Sequence, residues 1–128
     1  MEQAELNRIG GIILDAAITV HKALGPGLLE RAYVRALEVE LQFRGLKTKR
    51  EVMIRQCYRG VDLEEVYRMD LLVEDEIIIE AKARRELHPI DEAQIISHLK
   101  LAGKRLGYLI NFHVLRLVDG FHRFVNGL

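Results

Sequence analysis

Apolar residues recur every three or four positions from about Glu5 to Leu24, placing Ile9, Ile12, Ile13, Ala16, Val20 and Leu24 on one stripe. That spacing predicts an amphipathic helix. Gly25-Pro26-Gly27 ends it, because proline and glycine punctuate helices strongly. A second helix is predicted from about Leu28 to Arg44, with Gly45 closing it. The pattern then changes to strand-like runs, Lys49 to Tyr58, Val66 to Val73 and Glu76 to Lys82. Arg59-Gly60 and the acidic stretch Asp62 to Glu65 read as the link between the first two. His88-Pro89 opens a third helix, about Ile90 to Ala102, with proline at a tolerated first-turn position and Gly103 after the end. Arg105 to Phe112 and Val114 to Val118 read as strands, with Asp119-Gly120 as a hairpin turn before Phe121 to Val125. The expected order is ααβββαββ, with room for one more short strand. Helices flanking a mixed β-sheet are the natural packing for this α/β (α+β) pattern. The hairpins argue against a purely parallel, doubly wound sheet.

Length and composition narrow this picture. At 128 residues, 49% of them hydrophobic, the chain predicts a single domain over 1–128 with one real core. Nineteen basic and nineteen acidic residues leave no net charge, which argues against a surface coated in positive charge for non-specific nucleic-acid binding. A local basic groove remains open, because Lys82, Arg84, Arg85, Lys100, Lys104 and Arg105 outnumber the acids between them. Cys57 is the one cysteine, so neither an intrachain disulfide nor a cysteine zinc site is expected. The start of the chain lacks a basic region and an apolar core of the signal-peptide kind. The apolar runs are too short to span a bilayer. A cytoplasmic protein with no membrane association is expected.

Candidate chemistry concentrates in Asp70 and, ten residues later, Glu80-Ala81-Lys82, all set in apolar strand-like runs. Carboxylates and an ammonium group in such runs are costly to bury unpaired. A divalent cation relieves that cost, since hard cations take oxygen ligands. Side chains alternate along a strand, so Glu80 and Lys82 share a face. Asp70 joins them only if Val73 lies opposite Ile77, which demands a three-residue turn at Glu74-Asp75-Glu76. In the second helix, Arg31, Arg35, Glu38 and Gln42 mark the expected solvent face. Glu30 falls in the apolar arc with Tyr33, Val34, Leu37 and Leu41, where it needs a partner: a metal site or a structural ion pair serves equally. Glu40 shares the arc near the helix end, within reach of solvent or an arginine. Gln94 and His98 are four apart on the third helix and share a face. The glutamine could orient a water or contact a phosphate, against the plainer reading of a surface amide beside a partly buried histidine. No paired-histidine zinc motif, phosphate loop or serine nucleophile elbow is present.

Gly27-Leu28-Leu29-Glu30-Arg31-Ala32-Tyr33 spells G-x-x-E-x-x-Y. It is followed in order by Tyr67-Arg68-Met69-Asp70-Leu71-Leu72-Val73, Glu80-Ala81-Lys82, Glu92-Ala93-Gln94 and Gly107-Tyr108-Leu109-Ile110-Asn111-Phe112. With these blocks the chain, from about Ile9 to Asn126, closely resembles the GxxExxY family, grouped with the PD-(D/E)XK nuclease-like superfamily. The resemblance implies a restriction-endonuclease-like core and a metal, usually Mg²⁺ (or Mn²⁺), beside the sheet. It implies Asp70 and Glu80 as metal ligands, the Ala81 carbonyl as a third, and Lys82 as the group that holds the attacking water. Glu30 matches a supporting acid acting through water, and Gln94 a helix glutamine of related nucleases. Two positions depart from the pattern: His98 stands where such nucleases often carry tyrosine, and Met69 precedes the aspartate in place of proline.

The expectation is a metal-dependent nuclease hydrolysing phosphodiester bonds in DNA or RNA. A competing reading is a non-catalytic or weakly active nucleic-acid-binding accessory module that keeps the fold. The small size favours that competitor, and a bare core implies a homodimer or a larger protein partner. A third reading makes the acids buried ion-pair partners of Lys82 and Arg68.

Overall fold

The computed structural model describes every residue from Met1 to Leu128. Two helices come first, α1 (Gln3–Leu24) and α2 (Glu30–Phe43), followed by strands β1 (Thr48–Tyr58), β2 (Val61–Val73) and β3 (Ile77–Lys82). Helix α3 (Pro89–Ala102), strand β4 (Leu106–Asn111), a 3-10 turn (Leu117–Gly120) and strand β5 (Phe121–Val125) complete the chain. The order ααβββαββ is the one the hydrophobic pattern predicts.

The five strands form one sheet in sequence order. Only β3 and β4 run parallel, and α3 makes the crossover between them. Alternation divides the sheet's two faces. Ile77, Ile79 and Ala81 enter the larger core with Ile9, Ile13, Leu37 and Leu41 of α1 and α2, whereas Ile78 packs with Leu99 of α3. Burying apolar surface on both faces explains why β3 reads as a nearly unbroken hydrophobic run.

The G-x-x-E-x-x-Y segment is a structural clasp. The Tyr33 ring stacks on Phe112 with centroids 4.6 Å apart. Its hydroxyl donates to the Gly25 carbonyl and accepts from the Leu28 amide, which pins the α1–α2 link. Gly27 has φ 97°, a left-handed conformation that glycine adopts without a steric penalty. Helix α2 consequently begins at Glu30.

Three details differ from the sequence pattern. The β1–β2 link is only Arg59-Gly60, both left-handed (φ 51° and 81°), the signature of a tight hairpin. Strand β2 therefore runs through Asp62 to Glu65, where the register shifts; charged side chains on a solvated ribbon do not stop a strand. Val114 to Val118 is not a strand, because β5 pairs directly with β4 (Ile110 opposite Phe121) and leaves this segment no ladder to join. It is fastened instead by His21 Nε2, 2.8 Å from the Val114 carbonyl. Gly120 is required by close approach rather than by a hairpin turn: a Cβ there would lie 2.1 Å from the Asn111 carbonyl oxygen. Finally, Glu38 is buried and paired with Arg35 and Arg50, while Glu30 is exposed, the reverse of the expected α2 faces. Arg50 arrives from β1, so the helix pattern alone could not reveal it. Glu40 pairs with Arg44 at 2.9 Å, as its position near the helix end allowed.

Candidate active site

The turn between β2 and β3 is Glu74-Asp75-Glu76, with Val73 opposite Ile77. This is the odd-length turn that brings Asp70 level with Glu80. Glu74 and Asp75 are left-handed (φ 52° and 59°), and the Glu76 amide donates to the Val73 carbonyl at 3.0 Å.

Pairing of β2 with β3 stops at Leu71–Ile79. At the point of divergence the Ala81 amide donates to Asp70 Oδ2 at 2.8 Å. The carboxylate thus takes over a bond that a continued ladder would have made. Opposite Asp70 on β1, Glu51 has φ 55° and no ladder partner, so the neighbouring strand is also irregular here. Past this point β2 is paired only with β1, and the two form a projecting ribbon.

Asp70, Glu80, Lys82 and Gln94 line one cavity of about 310 Å³, together with His98, Tyr67 and Arg68. Glu30 lies on a second cavity that shares Asp70 and Arg68 and is also lined by Arg50 and Glu51. Burial is the largest influence on the Asp70 carboxyl and raises its pKa; the Ala81 amide opposes this, Glu80 and Glu30 raise it further, and Lys82 lowers it.

Glu80 is buried, and one carboxylate oxygen contacts His98 Nδ1. The His98 ring lies 5.8 Å from that of Tyr67. Lys82 is 3.9 Å from Asp91, and Arg68 is 3.9 Å from Glu51. Neither cation forms an ion pair with Asp70 or Glu80, contrary to the reading in which those acids are merely paired with them. Asp91 is 1% exposed; both its oxygens accept from Arg84 at 2.7 Å, and one accepts from the His88 amide at 2.9 Å. It closes the first turn of α3 while facing Lys82. Asn111 fastens the segment after β3, accepting from the Arg84 amide and donating to the Arg84 carbonyl. The basic run beyond Lys82 is therefore partly consumed by structure.

His98 and Asp91 are the participants that sequence reasoning did not assign to the site. The i, i+4 spacing of Gln94 and His98 was the available signal for the first. For Asp91 the signal was the acid two residues after His88-Pro89.

A scan against family models matches residues 7–124 to the PD-(D/E)XK nuclease superfamily. The chain belongs to that superfamily. Among curated proteins and among solved structures, none matches. The mixed sheet flanked by helices is consistent with the restriction-endonuclease-like fold of PD-(D/E)XK nucleases, which generally use divalent metals. No helix is long and apolar enough to cross a membrane.

The donor set suits a hard cation. Asp70 and Glu80 line one cavity, and the like charge of Glu80 that raises the Asp70 pKa is what a cation would offset. No three His, Cys, Asp or Glu side chains are gathered into a metal-holding group. Magnesium tolerates such an open arrangement, because it keeps several waters and commonly takes one or two carboxylates plus substrate phosphates.

The raised pKa of Asp70 has a stability consequence. A carboxyl whose folded pKa lies above its unfolded value binds its proton more tightly when folded, so its contribution is greatest below the unfolded value and is lost as pH rises through the folded pKa. Without metal, Asp70→Asn is therefore expected to melt higher than the native chain at neutral pH. The gap should close as the pH falls below the usual aspartate range. Differential scanning fluorimetry from pH 3 to 8 in chelator checks this; a lower melting temperature for the variant at neutral pH contradicts it.

Proposed function

We propose that this domain is a metal-dependent nuclease that hydrolyses phosphodiester bonds in DNA or RNA. In this reading Asp70 and Glu80 hold Mg²⁺ (or Mn²⁺), the Ala81 carbonyl adds a ligand, and Glu30 supports the site through water. The observation that carries it is the convergence of Asp70, Glu80, Lys82 and Gln94 on one cavity in a chain of this superfamily. The G-x-x-E-x-x-Y clasp and the ordered motifs favour the GxxExxY branch.

A bound divalent ion supplies charge to neutralise the phosphate and eases deprotonation of water. The protein's own groups do the rest. Lys82 holds the attacking water and offers a fixed positive charge to the phosphoryl oxygens. Asp91 keeps that ammonium group near the cavity, and Gln94 steadies the substrate from α3. The Ala81 amide fixes the rotamer of Asp70.

The contact between Glu80 and His98 favours a second reading, an accessory module in which the histidine competes for the acid. Thermal melting combined with a cleavage assay separates the two. Ligands that bind only the native state raise its melting temperature, so millimolar Mg²⁺ or Mn²⁺ is expected to stabilise the native chain but not Glu80→Ala. In parallel, single-stranded, duplex and structured DNA and RNA are incubated with Mn²⁺. Metal-dependent cutting that Glu80→Ala abolishes supports the nuclease. A metal shift with no cutting on any substrate supports the accessory module, and no shift at all sinks both.

A further inference from the structure

A second depression adjoins the acidic cavity and shares Tyr67, Gln94 and His98 with it. It measures about 230 Å³ and runs between the β1–β2 ribbon and the outer face of α3, with Gln56 on one side and Ile90, Ser97 and Leu101 on the other. Gln56, Ile90, Ala93 and Ser97 belong to this depression and not to the acidic cavity, and Leu101 also packs against the smaller core. Tyr67 and Ile90 are exposed, although both are large and apolar. The Tyr67 hydroxyl donates to Gln56 Oε1 at 2.8 Å, which tethers the ring to the neighbouring strand and leaves the Gln56 amide NH₂ available. A fixed aromatic ring, aliphatic walls and two carboxamides are the chemistry that receives a flat heterocycle with hydrogen-bonding edges.

From this juxtaposition we infer that the trench is a subsite for one unpaired nucleobase, stacked on Tyr67 and contacted at its edge by Gln94. The inference rests on the nuclease reading and deepens it by naming the substrate class. The base belongs to a nucleotide next to the phosphate held at Lys82, because the two cavities share Tyr67, Gln94 and His98 as walls. Bases inside a duplex stack on one another and have no free face for Tyr67. The preferred substrate is therefore a single strand, or the unpaired part of a structured one. Stacking tolerates any base, so selectivity at this position comes from the amide edge and is modest.

The test uses the full chain with metal removed by chelator, which prevents turnover and keeps Lys82, and short single strands carrying one 2-aminopurine. Binding is expected to quench that fluorophore through stacking, and excess unlabelled duplex should compete poorly. Tyr67→Leu is expected to weaken binding about tenfold and remove the quench. Tyr67→Phe should retain both, and Gln94→Ala should alter the ranking of A, C, G and T homopolymers. The Mg²⁺ melting shift of the Tyr67→Leu chain, expected to match that of its parent, shows that the acidic site is undisturbed. A free 2-aminopurine nucleotide competing as well as the oligonucleotide overturns the strand assignment. Equal binding of duplex, or an unchanged quench in Tyr67→Leu, overturns the subsite while metal-dependent cutting by the native chain leaves the nuclease reading standing. No binding of any nucleic acid, with no cutting, removes both.

Discussion

Lys82→Ala is expected to lower the rate of metal-dependent cleavage by about 10²–10³-fold, the usual cost of removing one preorganised charge from a polar transition state. The same variant should keep its Mg²⁺ melting shift, because the ammonium group is not a metal ligand. Glu80→Ala should lose both. The fold is expected to tolerate the loss of Lys82, since Asp91 keeps Arg84 on both its oxygens and the Lys82 main-chain carbonyl still accepts from the Phe112 amide at 2.9 Å. Arginine is a poor substitute: its broad planar fork neither fits a point-charge position nor carries the same compact hydration. Lys82→Arg should therefore recover little of the lost rate. Single-turnover cleavage of a labelled strand, with melting curves run beside it, reads both quantities. Undiminished cleavage by Lys82→Ala refutes the role given to this residue.

Phe112→Ala is expected to cause the largest loss of stability, about 3–5 kcal/mol, as for other fully buried aromatic truncations. Phe112 has 0% exposure and is stacked on Tyr33, whose hydroxyl in turn pins the α1–α2 link. Removing the ring leaves a cavity beneath that clasp and loosens the start of α2, where Glu30 stands. For a chain of this size the melting temperature should fall by roughly 10–20 °C. Leu115→Ala, three residues on, is the control; at 94% exposure it should shift stability by no more than about 0.5 kcal/mol. Calorimetry on the two variants decides it, and similar melting temperatures would remove Phe112 from its place in the core.

The elements most legible in the sequence were those whose evidence is local. The apolar stripe of α1, the glycine and proline stops, and the dense hydrophobic run of β3 each follow from the period of one element. The three-residue turn was deduced from alternation alone, as the sole way to set Asp70 level with Glu80, and the register has it. Val114 to Val118 misled because β-branched residues near a good turn dipeptide look like half a hairpin. Whether they pair depends on which strand already occupies the edge of β4. Glu38 and Glu30 were exchanged for a similar reason, since Arg50, which makes burial of Glu38 tolerable, lies on β1.

By itself, the sequence determined the order of elements, the mixed sheet and the alignment of Asp70 with Glu80 and Lys82, because these depend on periodicity and turn length within a few residues. Only the tertiary structure decided that His98 contacts Glu80, that Asp91 faces Lys82, and that β2 leaves β3 at Asp70 and opens the trench beside Tyr67. Those contacts join residues from different elements, and their geometry is set by how α3 and the ribbon pack on the sheet. No spacing along the chain encodes that distance.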